Sequence, residues 1–162
     1  MDTAGDGAAH PRVLLIEGNG PLRRFFETIL GEAAYEVTTA EDGNAGLTHA
    51  GASAFDCIVL GSPAPVRSGD VRSTVLEQIE RLAPELAARV IVITSHVTGR
   101  TLLRRAIRMR VFAVFGKPFN TAVFARTVAD CAARRRPASR FHAIPPPVVT
   151  RICEEESVPE EW

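Results

Sequence analysis

The sequence is poor in lysine and has no excess of either charge. Of its 19 basic residues, Lys117 is the only lysine and the other 18 are arginines. They are balanced by 19 acidic residues, so the formal net charge is zero and no overall field draws the chain toward nucleic acid or an anionic membrane. We therefore expect neither as a partner.

Targeting and metal-binding patterns are also missing. No apolar run approaches the ~20 residues that a membrane span needs. Residues 1–10 lack the basic start and apolar core of a signal peptide. The three cysteines, Cys57, Cys131 and Cys153, do not have metal-ligand spacing, and nothing suggests an oxidising compartment. These absences predict a cytoplasmic protein.

Five short apolar runs alternate with segments of helical periodicity. Runs unbroken by polar residues are typical of strands buried on both faces of a parallel sheet. They cover residues 12–16, 36–39, 55–60, 89–94 and 111–115, and the second is shorter and edge-like. The alternation predicts an α/β fold, a flavodoxin-like three-layer sandwich with five helices and a five-stranded parallel sheet of order 2-1-3-4-5.

The helical segments are indicated by apolar stripes and end signals. The first begins near Pro21, the second covers residues 44–50 and is closed by Gly51, and Asn120 caps the fifth. The third stripe spans residues 71–82. The fourth is predicted to face inward with Leu102, Leu103, Ala106 and Ile107.

Composition divides the chain into three parts. We predict a flexible N-terminus over residues 1–11, a folded domain over residues 12–133 and a tail over residues 134–162. The tail is Pro-rich and charge-blocked, and it is too short and polar to form a second core.

Candidate functional residues lie where the predicted strands end, because ligands bind beyond the carboxyl ends of the strands in this fold. Glu17 and Gly18 follow the first strand, and Gly61 follows the third. Thr94 ends the fourth strand. After the fifth come Lys117, Pro118 and Phe119.

With these residues in this order, the chain resembles a receiver domain of the two-component response regulators over about residues 12–131. The family has an acidic pair after the first strand, a phosphoacceptor Asp and a Pro–Gly loop after the third, a Thr or Ser after the fourth and a Lys-Pro step after the fifth. The matching residues are Glu17, Pro65, Gly69, Thr94, Lys117, Pro118 and Phe119. The resemblance implies a non-enzymatic signalling module with protein partners.

Three positions depart from the family pattern. Gly61 stands at the phosphoacceptor position, Gly18 at the second acidic position and Val114 at the aromatic switch position. Aspartyl phosphorylation needs a carboxylate nucleophile and a Mg²⁺ ion held by carboxylates. The resemblance therefore implies no catalytic residue, no cofactor, weak Mg²⁺ binding at best, and Glu17, Thr94, Lys117 and Pro118 as remnants of the site.

Two functions of different classes follow. The first is a pseudo-receiver that acts through phosphorylation-independent protein–protein interaction. The alternative is a small-molecule or anion sensor that uses the crevice vacated near Gly61 and Lys117. For Lys117 itself we expect an ion pair with Glu17, and the Lys117–Pro118 bond is a candidate cis peptide.

The candidate partner surface is the fourth helix, which carries Arg100, Arg104, Arg105 and Arg108. A solvated helical face and a docking surface on the fourth and fifth helices are both left open, as are partner binding through the tail and a homodimer. Asp56, a substitute acceptor in principle, begins the third strand and so falls at the wrong edge of the sheet.

Overall fold

The computed structural model describes residues 10–61, 75–76, 78–79, 84–95 and 100–134, without the side chains of residues 100–103 and 105. Its sheet has five parallel strands, and their order is β2-β1-β3-β4-β5, which confirms the predicted topology. The strands are β1 (Arg12–Ile16), β2 (Glu36–Ala40), β3 (Cys57–Leu60), β4 (Val90–Thr94) and β5 (Ala113–Gly116).

Helices connect the strands and cover both faces of the sheet. They are α1 (Gly20–Glu32), α2 (Gly43–Ala52), the short α3 (Pro84–Ala87), α4 (Arg100–Met109) and α5 (Thr121–Ala133). Residues 75, 76, 78 and 79, the described part of the predicted third stripe, are also helical. Among the described residues, no helix is long and apolar enough to cross a membrane.

Two apolar clusters lie on opposite faces of the sheet because side chains alternate along each strand. On β1, Leu14 and Ile16 belong to the cluster that packs under α2, α3 and α4. Val13 and Leu15 belong to the cluster under α1 and α5. The second cluster contains a group of rings whose centroids lie 5.1–6.0 Å apart, formed by Phe25, Phe26, Phe115, Phe119 and Phe124.

Three helices begin with a side-chain cap. Asn19 Oδ1 accepts the Leu22 backbone N–H of α1 at 2.9 Å. Asp42 accepts from Ala45 at 2.8 Å at the start of α2. The predicted Asn120 cap of α5 is confirmed, since its Oδ1 accepts two backbone N–H groups, at 2.9 and 3.2 Å. Each cap satisfies helical donors that have no partner within the helix.

Helices α1 and α4 end in the same way, with a non-glycine residue in the left-handed region. Ala34 has φ 60° and Arg110 has φ 56°. After α1, the N–H groups of Ala34 and Tyr35 donate to Gly31 and Leu30 at 3.0 and 3.3 Å. Arg110 and the next residue repeat this pattern on α4 at 3.1 Å each. These are Schellman motifs, which usually place glycine at the left-handed position.

Some boundaries differ from the predicted ones. Helix α2 passes through Gly51 and ends at Ala52, where the N–H of Ser53 donates to His49. Strands β3 and β5 each begin two residues later than predicted. Residue 46 allows α2 to approach the sheet, because a Cβ atom at Gly46 would lie 2.7 Å from Ile16 Cγ1 on β1.

Candidate functional site

The predicted site residues lie along one edge of the sheet, because the carboxyl ends of parallel strands share an edge. Main-chain hydrogen bonds join neighbouring strand ends there. Gly61 N–H donates to Ile16 at 2.7 Å, and Lys117 N–H donates to the Thr94 carbonyl at 2.8 Å. Glu17 N–H donates to Ala40 at the end of β2 at 3.0 Å. The backbone therefore brings Glu17, Gly61, Thr94 and Lys117 to the same rim.

Glu17 is a fully buried acidic residue at this rim. Its Oε1 accepts the Asn19 backbone N–H at 2.9 Å. Its carbonyl oxygen accepts from Arg23 Nη1, also at 2.9 Å. Arg23 pairs in addition with the exposed Glu41 at 3.1 Å. The turn after β1 and the first turn of α1 thus hold Glu17 in place.

The Glu17 side chain lies directly against Gly61. A Cβ atom built on Gly61 would overlap Glu17 Oε2, and it would lie 2.8 Å from Cδ and 3.3 Å from Cβ of Glu17. The volume expected to be vacated beside Gly61 is therefore filled. The sensor hypothesis assumed an open crevice beside Gly61, and this assumption is wrong. A ligand next to Gly61 would have to displace the buried Glu17 carboxylate.

The other predicted remnants take different positions. Thr94 is buried at 1% exposure, at the end of β4. Lys117 is half-buried, and the Lys117–Pro118 peptide bond is cis, as expected. Pro118 is exposed. Val114 lies inside β5 and packs in the cluster under α4, on the face opposite the phenylalanine group.

Several predicted positions do not contribute to this geometry. Gly18 is half-buried in the turn after β1. Pro65 and Gly69 lie outside the described residues. Asp56 stands at the other edge of the sheet, as expected, where its carboxylate accepts the Arg12 backbone N–H at 2.8 Å and lies 4.0 Å from Arg89 Nη1.

Two buried thiols occupy that opposite edge. Cys57 on β3 and Cys131 on α5 are both inaccessible to solvent, and Cys131 Sγ donates to the Arg89 carbonyl at 3.4 Å. Burial raises the pKa of Cys57 well above its usual value, and the hydrogen bond with Cys131 adds to the effect. We read them as core residues, in keeping with the prediction for Cys57.

The arginine face of α4 is partly described. Arg104 and Arg108 are exposed, whereas the side chains of Arg100 and Arg105 lie outside the description. The predicted inward stripe is wrong at Ile107, which is 48% exposed. The helix turns Ala106 and Met109 toward the sheet, and at 100° per residue Ile107 then faces away.

Comparison with known proteins decides the family. The family model of the response regulator receiver domain matches residues 13–129. The chain belongs to this family. No curated protein matches it. Receiver domains serve two-component signalling and interact with signalling proteins, and the chain has this general role as a member of the family.

Solved structures with this receiver fold come from several organisms. The chemotaxis protein CheY4 of Vibrio cholerae is 22% identical with a TM-score of 0.65, covering 76% of this chain and 99% of its own. A CheY-like receiver domain protein of Methanospirillum hungatei is 18% identical with a TM-score of 0.67, covering 76% and 94%. The response regulator TrrA of Thermotoga maritima, in complex with Mg²⁺ and BeF, is 22% identical with a TM-score of 0.62, covering 75% and 98%. At these identities the likeness shows the fold alone.

Among the described residues, no group of three or more His, Cys, Asp or Glu side chains could hold a metal ion. Glu17 offers one carboxylate at the rim, and one of its oxygens already accepts from Asn19.

Sequence reasoning did not predict two residues that shape the site. Asn19 could have been found, because a polar residue two positions before a proline is an N-cap signal. Arg23 gave no signal, since one arginine among 18 is distinguished only by the geometry that places it beneath Glu17.

Proposed function

We propose that this receiver is a pseudo-receiver, which signals without phosphorylation at the residue after β3. The observation that carries the proposal is the buried Glu17 side chain against Gly61. Glycine has no nucleophile, and the neighbouring carboxylate fills the space where an aspartate side chain would begin. Gly18 and Val114, at the second acidic and switch positions of the family pattern, support the same conclusion.

The proposal includes weak Mg²⁺ binding and no cofactor. Mg²⁺ requires near-octahedral oxygen ligands and usually one or two carboxylates together with substrate phosphates. Of the three carboxylates in the family pattern, Glu17 alone is present. We propose that the module is not an enzyme.

Lys117 is proposed as the counter-ion of Glu17. A buried carboxylate is tolerated only when it is hydrogen-bonded and paired. Lys117 is the single lysine of the chain, and its backbone is bonded to the strand end at Thr94 on the same rim. An ion pair between Lys117 and Glu17 would neutralise both charges at this edge of the sheet without a phosphoryl group.

Output is then proposed to come from protein contacts, with the exposed arginines of α4 as the candidate surface. Arg104 and Arg108 point to solvent from a helix whose other side packs on the sheet. A folded unit over residues 12–133 with a separate tail remains the proposed organisation.

The test is intact-protein mass spectrometry after incubation with acetyl phosphate and Mg²⁺. The unaltered chain should show no gain of a phosphoryl group. The matched positive control is the triple variant Glu17→Asp, Gly18→Asp, Gly61→Asp, in which the shorter side chain at residue 17 makes room at residue 61. The double variant Gly18→Asp, Gly61→Asp should gain less, because Glu17 still fills that space. Stoichiometric labelling of the unaltered chain would overturn the proposal.

A further inference from the structure

Helix α4 and the residue after it carry charge of one sign. From residue 100 to residue 110 the sequence has five arginines and no acidic residue. Arg104, Arg108 and Arg110 are exposed. Among the described residues, Ile107 is the one exposed large hydrophobic side chain. A basic face around an apolar side chain suits an acidic segment that also carries a hydrophobic residue.

The chain contains one such segment. Residues 154–162 read Glu-Glu-Glu-Ser-Val-Pro-Glu-Glu-Trp, with five glutamates and no basic residue. Its large hydrophobic residue, Trp162, is the only tryptophan of the protein. The five carboxylates of this acidic segment match the five guanidinium groups of residues 100–110 in number.

The chain leaves the folded domain beside the end of α4. Both α4 and α5 end at the edge where the strands begin, because each helix runs antiparallel to its strands. Arg134, the residue after α5, places its guanidinium 4.7 Å from the centroid of the Phe112 ring. Phe112 follows Met109, the last residue of α4, by three positions. This contact joins the start of the tail to the loop that ends α4.

The intervening chain is long enough. Residues 135–153 lie between the domain and the acidic segment, and such a length spans up to ~65 Å when fully extended. That is several times the ~14 Å radius of gyration of a domain of this size. Every exposed residue of α4 is therefore within reach.

We propose that residues 154–162 dock on the exposed face of α4, with glutamates paired to Arg104, Arg108 and Arg110 and with Trp162 against Ile107. The docked segment occupies the surface assigned above to a signalling partner, so a partner would have to displace it. The inference rests on that part of the proposed function. It is independent of whether residue 61 is phosphorylated, so the two can fail separately.

The test uses the fluorescence of Trp162 in the full-length protein, with the neutral quencher acrylamide. The double variant Arg104→Glu, Arg108→Glu should raise the quenching constant, because loss of two exposed ion pairs weakens docking by about fivefold or more. About 1 M NaCl, where the Debye length is ~3 Å, should do the same to the unaltered chain. The matched control is Arg24→Glu, an exposed arginine on α1 at the opposite face of the sheet, which should leave quenching unchanged.

A charge exchange distinguishes direct pairing from a general effect. Adding Glu155→Arg and Glu156→Arg to the α4 double variant should restore protection of Trp162. Circular dichroism of each variant should match that of the unaltered chain, since the altered residues of α4 are exposed.

Three outcomes would overturn the inference. The first is equal quenching in the unaltered chain and the α4 double variant. The second is release of Trp162 by Arg135→Glu, Arg136→Glu but not by the α4 variant, which would place the acidic segment on the basic part of the tail. The third is protection that rises with protein concentration, which would place it on a second copy of the chain.

Discussion

The Glu17 carboxylate occupies the space that the Cβ atom of any other residue would need at Gly61. The two residues directly follow the neighbouring strands β1 and β3, and the Gly61 N–H donates to the residue just before Glu17. They therefore form a coupled pair: glycine at residue 61 gives room for a long acidic side chain at residue 17.

Gly61→Ala should destabilise the protein by about 1–3 kcal/mol, because the added methyl group overpacks a filled site. Urea unfolding followed by circular dichroism measures the change. In the Glu17→Ala background the same substitution should cost about 1 kcal/mol less, because the overlapping atoms are gone. If the two substitutions had additive effects on the free energy of unfolding, overlap with Glu17 would not be the cause of the cost of Gly61→Ala.

Two glycines of α2 provide a matched pair. Gly46→Ala should destabilise by about 1–3 kcal/mol, because its Cβ would lie 2.7 Å from Ile16 Cγ1. Gly51→Ala should stabilise by about 0.5–1 kcal/mol, since no atom lies within 4 Å of its Cβ and alanine favours a helix. Thermal unfolding of both variants checks the contrast, and equal shifts would contradict it.

Asn120→Ala should lower stability by about 1 kcal/mol through loss of the α5 cap. Asn120→Asp should retain most of it, because a carboxylate accepts the same N–H groups at the positive end of the helix. Asn44→Ala, at an exposed position inside α2, serves as the control. Denaturant midpoints measure all three, and a loss at Asn44 as large as at Asn120 would refute the cap as the cause.

Stability should fall at alkaline pH, partly through Cys57. Burial, followed by the hydrogen bond with Cys131, raises the folded-state pKa of Cys57 above its usual 9.0. The unfolded chain then loses the Cys57 proton at a lower pH than the folded chain does. The contribution of Cys57 to the free energy of unfolding is therefore complete below the usual pKa of 9.0. It declines above that pH, by at most about 1.4 kcal/mol per pH unit.

The check is urea unfolding between about pH 8 and pH 10. Cys57→Ala should be less stable at neutral pH but show a shallower decline. Tyr35, whose pKa is raised above 10.0 mainly by burial, adds a similar loss at higher pH in both proteins. If the free energy of unfolding fell equally with pH in the unaltered chain and in Cys57→Ala, Cys57 would be excluded as a source of the decline.

The topology was predictable because buried parallel strands are apolar on both faces and stand out as short runs. The carboxyl-terminal ends of the helices were not predictable, whereas the start of α5 at the Asn120 cap was. Gly51 suggested the end of α2, since glycine is common after the last helical turn. The structure instead places left-handed residues at Ala34 and Arg110, where no glycine marks them. Ile107 was assigned to the wrong face because the predicted stripe of residues 102, 103, 106 and 107 left out Met109, which the structure turns toward the sheet.

At the candidate site, the sequence indicates which residues share an edge but not how their side chains fill it. The missing carboxylates at Gly18 and Gly61 suggested an open crevice. The position of the Glu17 side chain depends on the Asn19 N–H and on the absence of a Cβ atom at residue 61. Contacts of this kind, between residues from different parts of the chain, produce no periodic pattern in the sequence.

The fold could gain stability at the Schellman motifs that end α1 and α4. Ala34 and Arg110 each hold a conformation that costs a side-chain-bearing residue about 1 kcal/mol relative to glycine. Both lie at the edge where the strands begin, away from the rim that carries Glu17. Glycine at these positions should raise the tolerance of the fold to substitutions elsewhere, so the candidate site could diverge further without loss of the scaffold.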